Sequence, residues 1–250
     1  MKLWPRVTAG RLRRLATLAG NVSRNAGLAE ARCLSCRTML RADAGSLCPA
    51  CERELAPRRG GYCPSCGRLY EREAEPPHLC RDCREEPMPW SRLHFHGGHE
   101  GRLRELLLAF KFEGSFAHAG LLQELLARAY APELPAELIA PVPLHFRRLL
   151  RRGFNQSLEL SRLLCRISGI PLVPTALRRI RRTRPQTTLD KAQRQQNIEG
   201  AFRADEMLVA GKRVLLVDDV LTTGATLREC VRTLRAGGAT DVEVLVLTKA

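Results

Sequence analysis

Four C-x-x-C steps stand between residues 29 and 90: Cys33-Leu34-Ser35-Cys36, Cys48-Pro49-Ala50-Cys51, Cys63-Pro64-Ser65-Cys66 and Cys80-Arg81-Asp82-Cys83. They constrain the fold because the rest of this segment offers little to fold with. It is rich in Pro and Gly, has almost no aliphatic periodicity, and so needs a staple. Each step directs two thiolates at one point, and two steps complete a tetrahedral zinc shell. Eleven residues separate the first two pairs and 13 the last two, so each loop can close locally. That favours sequential pairing, Cys33 and Cys36 with Cys48 and Cys51, then Cys63 and Cys66 with Cys80 and Cys83. An interleaved pairing, first step with third and second with fourth, satisfies the same chemistry. A thioredoxin-like redox motif would occur once, after a strand. Two all-thiolate sites leave no position for water, so both zincs are expected to be structural, and His78, His94, His96 and His99 are not needed as ligands.

The two cysteines left over, Cys165 and Cys230, fall on apolar faces of expected helices and read as core residues. Ligand cysteines rather than disulfides imply a reducing compartment. No apolar run approaches the ~20 residues of a membrane span. Residues 1–28 have neither a continuous apolar core nor a small-residue cleavage site, so a cytoplasmic protein is expected. Those 28 residues carry six Lys/Arg and no acid, and read as a poorly ordered basic tail. The formal net charge of the chain is +15, which points to anionic partners such as phosphates, nucleotides or nucleic acid. The excess gathers between Arg147 and Arg194, where 13 basic residues face only Glu159 and Asp190.

From residue 91 onward strands and helices alternate. "RLHFHG" reads as a strand, and "EGRLRELLLAFKF" as a helix with Leu103, Leu106, Leu107 and Phe110 on one face. A second helix is expected from Phe116 to Tyr130, then a short buried strand in "ELIAPVP". "NQSLELSRLLCRI" is a helix after a basic loop. "KRVLLVDDV", "ATLRECVRTLRAGG" and "DVEVLVLTKA" complete the order as strand, helix and strand. The pattern predicts an α/β domain over 91–250, a mostly parallel sheet with helices on both faces, preceded by a small double zinc ribbon over 29–90.

The stretch "VLLVDDVLTTGAT", Val214 to Thr226, carries the chemistry. Ligands of open parallel sheets bind beyond the carboxyl ends of strands, and Asp218 and Asp219 fall at that edge. The turn behind them leads into a helix whose first N–H groups, with the hydroxyls of Thr222, Thr223 and Thr226, make an anion cradle. Carboxylates beside a phosphate cradle make sense if the ligand also presents hydroxyls or a bridging divalent ion. An acidic pair at a strand end can instead hold magnesium for phosphoryl transfer, but that leaves the Thr-Thr-Gly turn without a task. Neither a Rossmann fingerprint nor a Walker lysine motif is present.

These 13 residues resemble the phosphoribosyl pyrophosphate (PRPP) signature of type I phosphoribosyltransferases. The resemblance implies that Asp218 and Asp219 bind the ribose hydroxyls, and that Thr222, Thr223, Gly224, Ala225 and Thr226 bind the 5′-phosphate. The cysteine steps, "LLLAFKFEGS", "PVPLHFRRLLRRGFNQS", "RPQTTLDKAQRQQNIEGAF" and this signature together resemble the ComF family of competence-associated phosphoribosyltransferase-like proteins, over about residues 30–250. That family implies action on incoming single-stranded DNA or its nucleotide products during natural transformation, or a role in nucleotide metabolism. A DNA-uptake protein or helicase is an expected partner.

PRPP also carries a pyrophosphate, which needs a second cradle. The resemblance places it after the "LIAPVP" strand, at Arg152, Gly153, Phe154, Asn155 and Gln156 with Arg147, Arg148 and Arg151 nearby. Arginine forks suit bidentate contact with pyrophosphate. The stretch from Arg178 to Phe202 takes the place of the family loop that closes over the transition state, with Arg194 a candidate catalytic anion contact. Lys111 is a further candidate on family grounds. Magnesium is expected with PRPP. No residue stands out as a general base, so three readings stay open. They are phosphoribosyl transfer to an unidentified acceptor, a non-catalytic single-stranded DNA binder regulated by PRPP or nucleotide, and a ribbon that docks a partner.

Overall fold

The computed structural model describes residues 32–40, 45–112, 116–181, 183 and 197–250, the side chains of Phe112, Phe116 and Arg151 excepted. The basic tail, Gln186, Leu189 and Arg194 lie outside the described residues, as does the side chain of Arg151.

The ribbon is one device built twice. In its first half, Arg32 bridges Met39 and the Arg37 N–H returns to the Cys33 carbonyl at 2.9 Å. In its second, Tyr62 bridges Leu69 and the Gly67 N–H returns to Cys63 at 2.8 Å. The residue after the second cysteine of each turn is left-handed, Arg37 at φ 65° and Gly67 at φ 72°. Cys48 and Cys80 then stand as extended N-cap residues of two short helices, α1 (Pro49–Glu54) and α2 (Arg81–Glu85), whose first turns present Cys51 and Cys83.

The second layer is a parallel sheet in the order β1 (Leu93–Gly98), β6 (Asp241–Lys249), β5 (Arg213–Leu221), β2 (Leu138–Pro141). Period two sorts the near-continuous apolar strands into two cores. Val214 and Leu216 of β5, with Val242, Val244 and Val246 of β6, face α8 (Ala225–Ala236) and its Leu227, Val231 and Leu234. Leu215 and Val217, with Leu245 and Leu247, face α3 (Gly101–Phe112), α4 (Ala119–Ala129) and α6 (Gln156–Ser168). The expected stripe on α3 is the buried one, from Leu103 to Phe110. Cys230 is fully buried and Cys165 half-buried against the second core.

Two local expectations fail for identifiable reasons. The "basic loop" is a short helix, α5 (Phe146–Arg152), capped where His145 Nδ1 accepts from the Arg147 N–H and closed by Gly153 at φ 80°. Its apolar residues Phe146, Leu149 and Leu150 are exposed, so no buried stripe announces it. The two ends of the stretch read as a single loop form an antiparallel pair, β3 (Leu177–Arg179) with β4 (Phe202–Ala204). Three-residue strands are too short to show alternation. A one-turn helix, α7 (Glu206–Val209), leads into β5.

The ribbon is not an appendage. It covers the free edge of β1, where the Arg58 N–H donates to the His96 carbonyl at 2.8 Å and His96 Nε2 to the Leu55 carbonyl at 2.8 Å. Tyr62 meets Phe95 edge to face, with ring centroids 4.9 Å apart.

Candidate functional site

The thiolates gather in sequence: Cys33, Cys36, Cys48 and Cys51 in one cluster, Cys63, Cys66, Cys80 and Cys83 in the other, all sulfurs of a cluster within 4.8 Å of one another. Cys36 and Cys48 lie 3.7 Å apart, as do Cys66 and Cys80. Zinc–sulfur bonds of ~2.3 Å at tetrahedral angles set sulfurs about 3.8 Å apart, so both clusters fit structural zinc. In the first, the Cys48 N–H also donates to the Cys33 sulfur at 3.3 Å, the bond a thiolate ligand accepts.

Asp218 and Asp219 stand where β2 has ended but β6 continues: Val217 is the last partner of β2, while Asp218 still pairs Val246. They therefore lie within β5 rather than after it, and successive residues of a strand point to opposite faces. On the α3 face, Asp219 meets Lys111 Nζ at 2.7 Å. Asp218 accepts from Ser157 Oγ in the first turn of α6 at 2.8 Å, and from the Asp219 N–H at 2.9 Å. Burial and the Asp219 charge push the Asp218 carboxyl up to about 7, against the pull of Ser157, the backbone N–H and Lys111.

The segment after β2 is tied to this pair. Asn155 caps α6, its Oδ1 accepting from the N–H groups of Ser157 and Leu158, while its Nδ2 donates to the Val142 carbonyl at 3.1 Å. Phe154 packs on Phe110 at 5.2 Å between centroids. Gln156 is buried, and its Oε1 accepts from Arg152 Nη1 at 3.2 Å. Arg147 is exposed and Arg148 half-buried. Arg179 of β3 joins them: its guanidinium lies 5.3 Å over the Phe202 ring and donates to Thr183 Oγ1. Burial and the Arg148 charge lower it to about 10.

Across the site, α8 opens at Gly224, φ 79°, with no side-chain cap. Its first N–H groups have no intrahelical acceptor. The turn's carbonyls are drawn away, Thr222 O by Lys249 Nζ at 3.2 Å and Thr223 O by Arg228 Nη2 at 3.4 Å. The buried polar atoms Gln156 Nε2, Arg179 Nε, Thr223 Oγ1 and Arg228 Nε in these segments lack a hydrogen-bond partner among the described residues. Behind the turn, a cleft of about 800 Å³ separates it from the second zinc cluster, with Arg68, Trp90, Arg228 and Lys249 among its walls.

Sequence reasoning missed Ser157 and Arg179. Ser157 ends the quoted "GFNQS", yet a serine in a helix's first turn has an ordinary local use. Arg179 stood among five arginines between Arg178 and Arg184, and nothing in the sequence singled out the one that packs over Phe202. Lys111, put forward on resemblance alone, does reach Asp219. Lys111→Met would leave two adjacent carboxylates without their cation. The expected result is a loss of about 2 kcal/mol in unfolding free energy at pH 8, shrinking toward pH 5 as Asp218 takes up a proton. Denaturant titrations at both pH values measure it.

Two families match the chain, the phosphoribosyl transferase domain over residues 149–250 and the double zinc ribbon domain over residues 28–91. Competence protein F of Haemophilus influenzae is 33% identical over 228 residues, covering 88% of this chain and 97% of that protein. DNA utilization protein YhgH of Salmonella typhimurium is 36% identical over 183 residues, covering 70% of this chain and 80% of its own. Among solved structures, the glutamine PRPP amidotransferase from B. subtilis, complexed with ADP and GMP, is 27% identical over 51% of this chain and 26% of its own, at a TM-score of 0.35. No helix among the described residues is long and apolar enough to cross a membrane.

Proposed function

The chain belongs to the competence protein F (ComF) family, a phosphoribosyltransferase-like domain joined to a double zinc ribbon, and on that premise we propose that it binds PRPP at the carboxyl end of β5 and transfers its phosphoribosyl group. The observation that carries the reading is one juxtaposition. A carboxylate pair anchored by Ser157 and Lys111 stands directly before an uncapped helix N-terminus whose carbonyls are drawn away. Hydroxyls suit the first half and a phosphate the second. Within this reading the ribbon spans 29–90 and the transferase-like domain 91–250.

Asp218 and Asp219 accept from the ribose hydroxyls. The N–H groups and hydroxyls of Thr222, Thr223, Gly224, Ala225 and Thr226 take the 5′-phosphate. The pyrophosphate faces Arg147, Arg148, Arg151, Arg152 and Gln156, in a cradle whose backbone Asn155 holds in place, and Arg194 is the catalytic anion contact. Arg179 adds a half-buried cation to this side, its buried Nε supporting the assignment by lacking a partner among the described residues. Magnesium, bound with PRPP, would neutralise charge on the departing pyrophosphate, and Asp218 and Asp219 are the residues here suited to sit beside it. As the carbon–oxygen bond to pyrophosphate breaks, positive charge develops at the anomeric carbon, and the carboxylate pair lies on the side of the site that favours it. No side chain is assigned as general base, so the acceptor brings its own nucleophilic nitrogen.

The relatives' names speak of competence and DNA utilization. We carry that to this chain as phosphoribosyl chemistry in the cytoplasm serving incoming single-stranded DNA or its nucleotides, with a DNA-uptake protein or helicase as partner. The experiment is a calorimetric titration of PRPP with magnesium into the wild type and into Asp218→Asn/Asp219→Asn. Saturable binding is expected in the first and none in the second. Equal binding by both overturns the assignment.

A further inference from the structure

We infer that the second zinc site positions the phosphate turn, through Trp90 and Lys249; the inference rests on the ribose-phosphate reading above. Ser65 lies inside the knuckle, between Cys63 and Cys66, and two of its groups are bonded from the segment that follows the ribbon. Its carbonyl accepts from Trp90 Nε1 at 2.8 Å, and its Oγ accepts from the Met88 N–H at 3.4 Å. Trp90 is only 5% exposed and packs in the core cluster that holds Leu221 and Leu227. The far end of its indole reaches the turn, where a Cβ on Gly224 would stand 3.5 Å from Cη2. One rigid ring system thus runs from the zinc knuckle to the glycine that opens α8.

A second strut lies beside it. Gly67 follows Cys66, and a Cβ there would meet the Cγ and Cδ of Lys249 at 3.2 Å. The lysine stem crosses this glycine and its Nζ donates to Thr222 O at 3.2 Å. The two struts hold opposite ends of the turn, Thr222 and Gly224. Zinc fixes the knuckle by drawing four thiolates to one point, so the turn inherits that rigidity. A turn already ordered in its binding shape loses less entropy when a phosphate arrives. The first knuckle does something else: Ser35 Oγ and the Ser35 carbonyl accept from Arg102 of α3, away from the turn. The two zinc sites, alike in ligands, therefore differ in what they steady.

The test separates the two halves of the ligand. Ribose 5-phosphate and inorganic pyrophosphate are titrated separately into the wild type, Lys249→Met, Lys249→Arg and Trp90→Phe/Lys249→Met, with zinc content measured for each. Trp90→Phe keeps an aromatic ring in the core but removes both the donor to Ser65 and the far end of the indole that reaches Gly224. In the double variant, affinity for ribose 5-phosphate is expected to fall about tenfold, with pyrophosphate affinity unchanged within about twofold and both zincs retained. Lys249→Arg, which keeps a donor, is expected to stay near the wild type. Equal loss for both probes, or no loss for either, overturns the inference. Hydrogen exchange of the Thr222–Thr226 amides in the unliganded proteins judges the struts independently: faster exchange in the double variant supports them, and unchanged exchange overturns them. A wild type that binds no ribose 5-phosphate overturns the reading beneath, and the exchange result still stands.

Discussion

Asp218→Asn is expected to weaken PRPP binding by about a hundredfold or more and, above pH 7, to make the protein more stable. The two effects share one cause. Asp218 is held among Ser157, the Asp219 N–H and a second carboxylate, and burial with the Asp219 charge raises its carboxyl to about 7. The unfolded chain releases this proton near the ordinary value of 3.8. A folded pKa above the unfolded one means that the folded state binds more protons between the two, so stability falls as pH rises through this window. Below about pH 4 both states are protonated and the penalty is absent; above pH 7 it is complete. Asparagine keeps an oxygen for Ser157 and for the backbone N–H while removing the charge. A gain of about 2 kcal/mol is expected at pH 8, roughly 5 °C in the melting midpoint for a chain of this size, vanishing toward pH 4. Melting curves of both proteins from pH 4 to 8 give the answer. A difference that does not depend on pH, or a loss at pH 8, would contradict the environment described for Asp218.

How much of this was legible beforehand follows from where each signal lives. The zinc ligands were readable because two-residue spacing and short loops leave few ways to bring thiolates together, and the clusters close in sequence. Strand β5 and helix α8 were readable because Val214–Val217 is a buried run and Leu227, Val231 and Leu234 recur at helical spacing. Neither signal says which face a carboxylate meets. That Asp219 reaches Lys111, more than a hundred residues away in sequence, depends on α3 packing over β5. That Asp218 meets Ser157 depends on Gly153 closing one helix and Asn155 starting the next, capping events rather than a periodicity. The arginine-rich stretch was readable as charge but not as geometry: Arg147 is exposed, whereas Arg179 is half-buried with its guanidinium over Phe202. The ribbon's hold on the sheet was the least legible, since it runs through carbonyls such as Leu55, Ser35 and Ser65 that any residue type supplies.

Removing zinc should therefore cost far more than the small module's own order. The second of the two large effects is expected here: treatment with a strong chelator releases two zinc ions per chain and lowers the melting midpoint by about 10 °C or more. The reason lies in what the ribbon covers. Leu55 belongs to the core beneath α3 and α4, with Leu34 and Leu47 packed against it. Trp90 belongs to the core beneath α8, with Met88 against it. A ribbon that loses its metal withdraws side chains from both layers and uncovers β1, whose outer edge is occupied by Arg58 and Leu55 through His96. An exposed edge strand pairs with other chains, so the metal-free protein is expected to aggregate on heating rather than unfold reversibly. The two sites can be separated by Cys51→Ser and Cys83→Ser. The first should loosen α3, where Arg102 and Lys111 sit, and the second the turn at Thr222–Gly224. Zinc content, melting curves and light scattering on the two variants check this. If chelation removes two zincs and leaves the melting midpoint within about 2 °C, the ribbon does not steady the sheet, and its packing against both cores contributes little to stability.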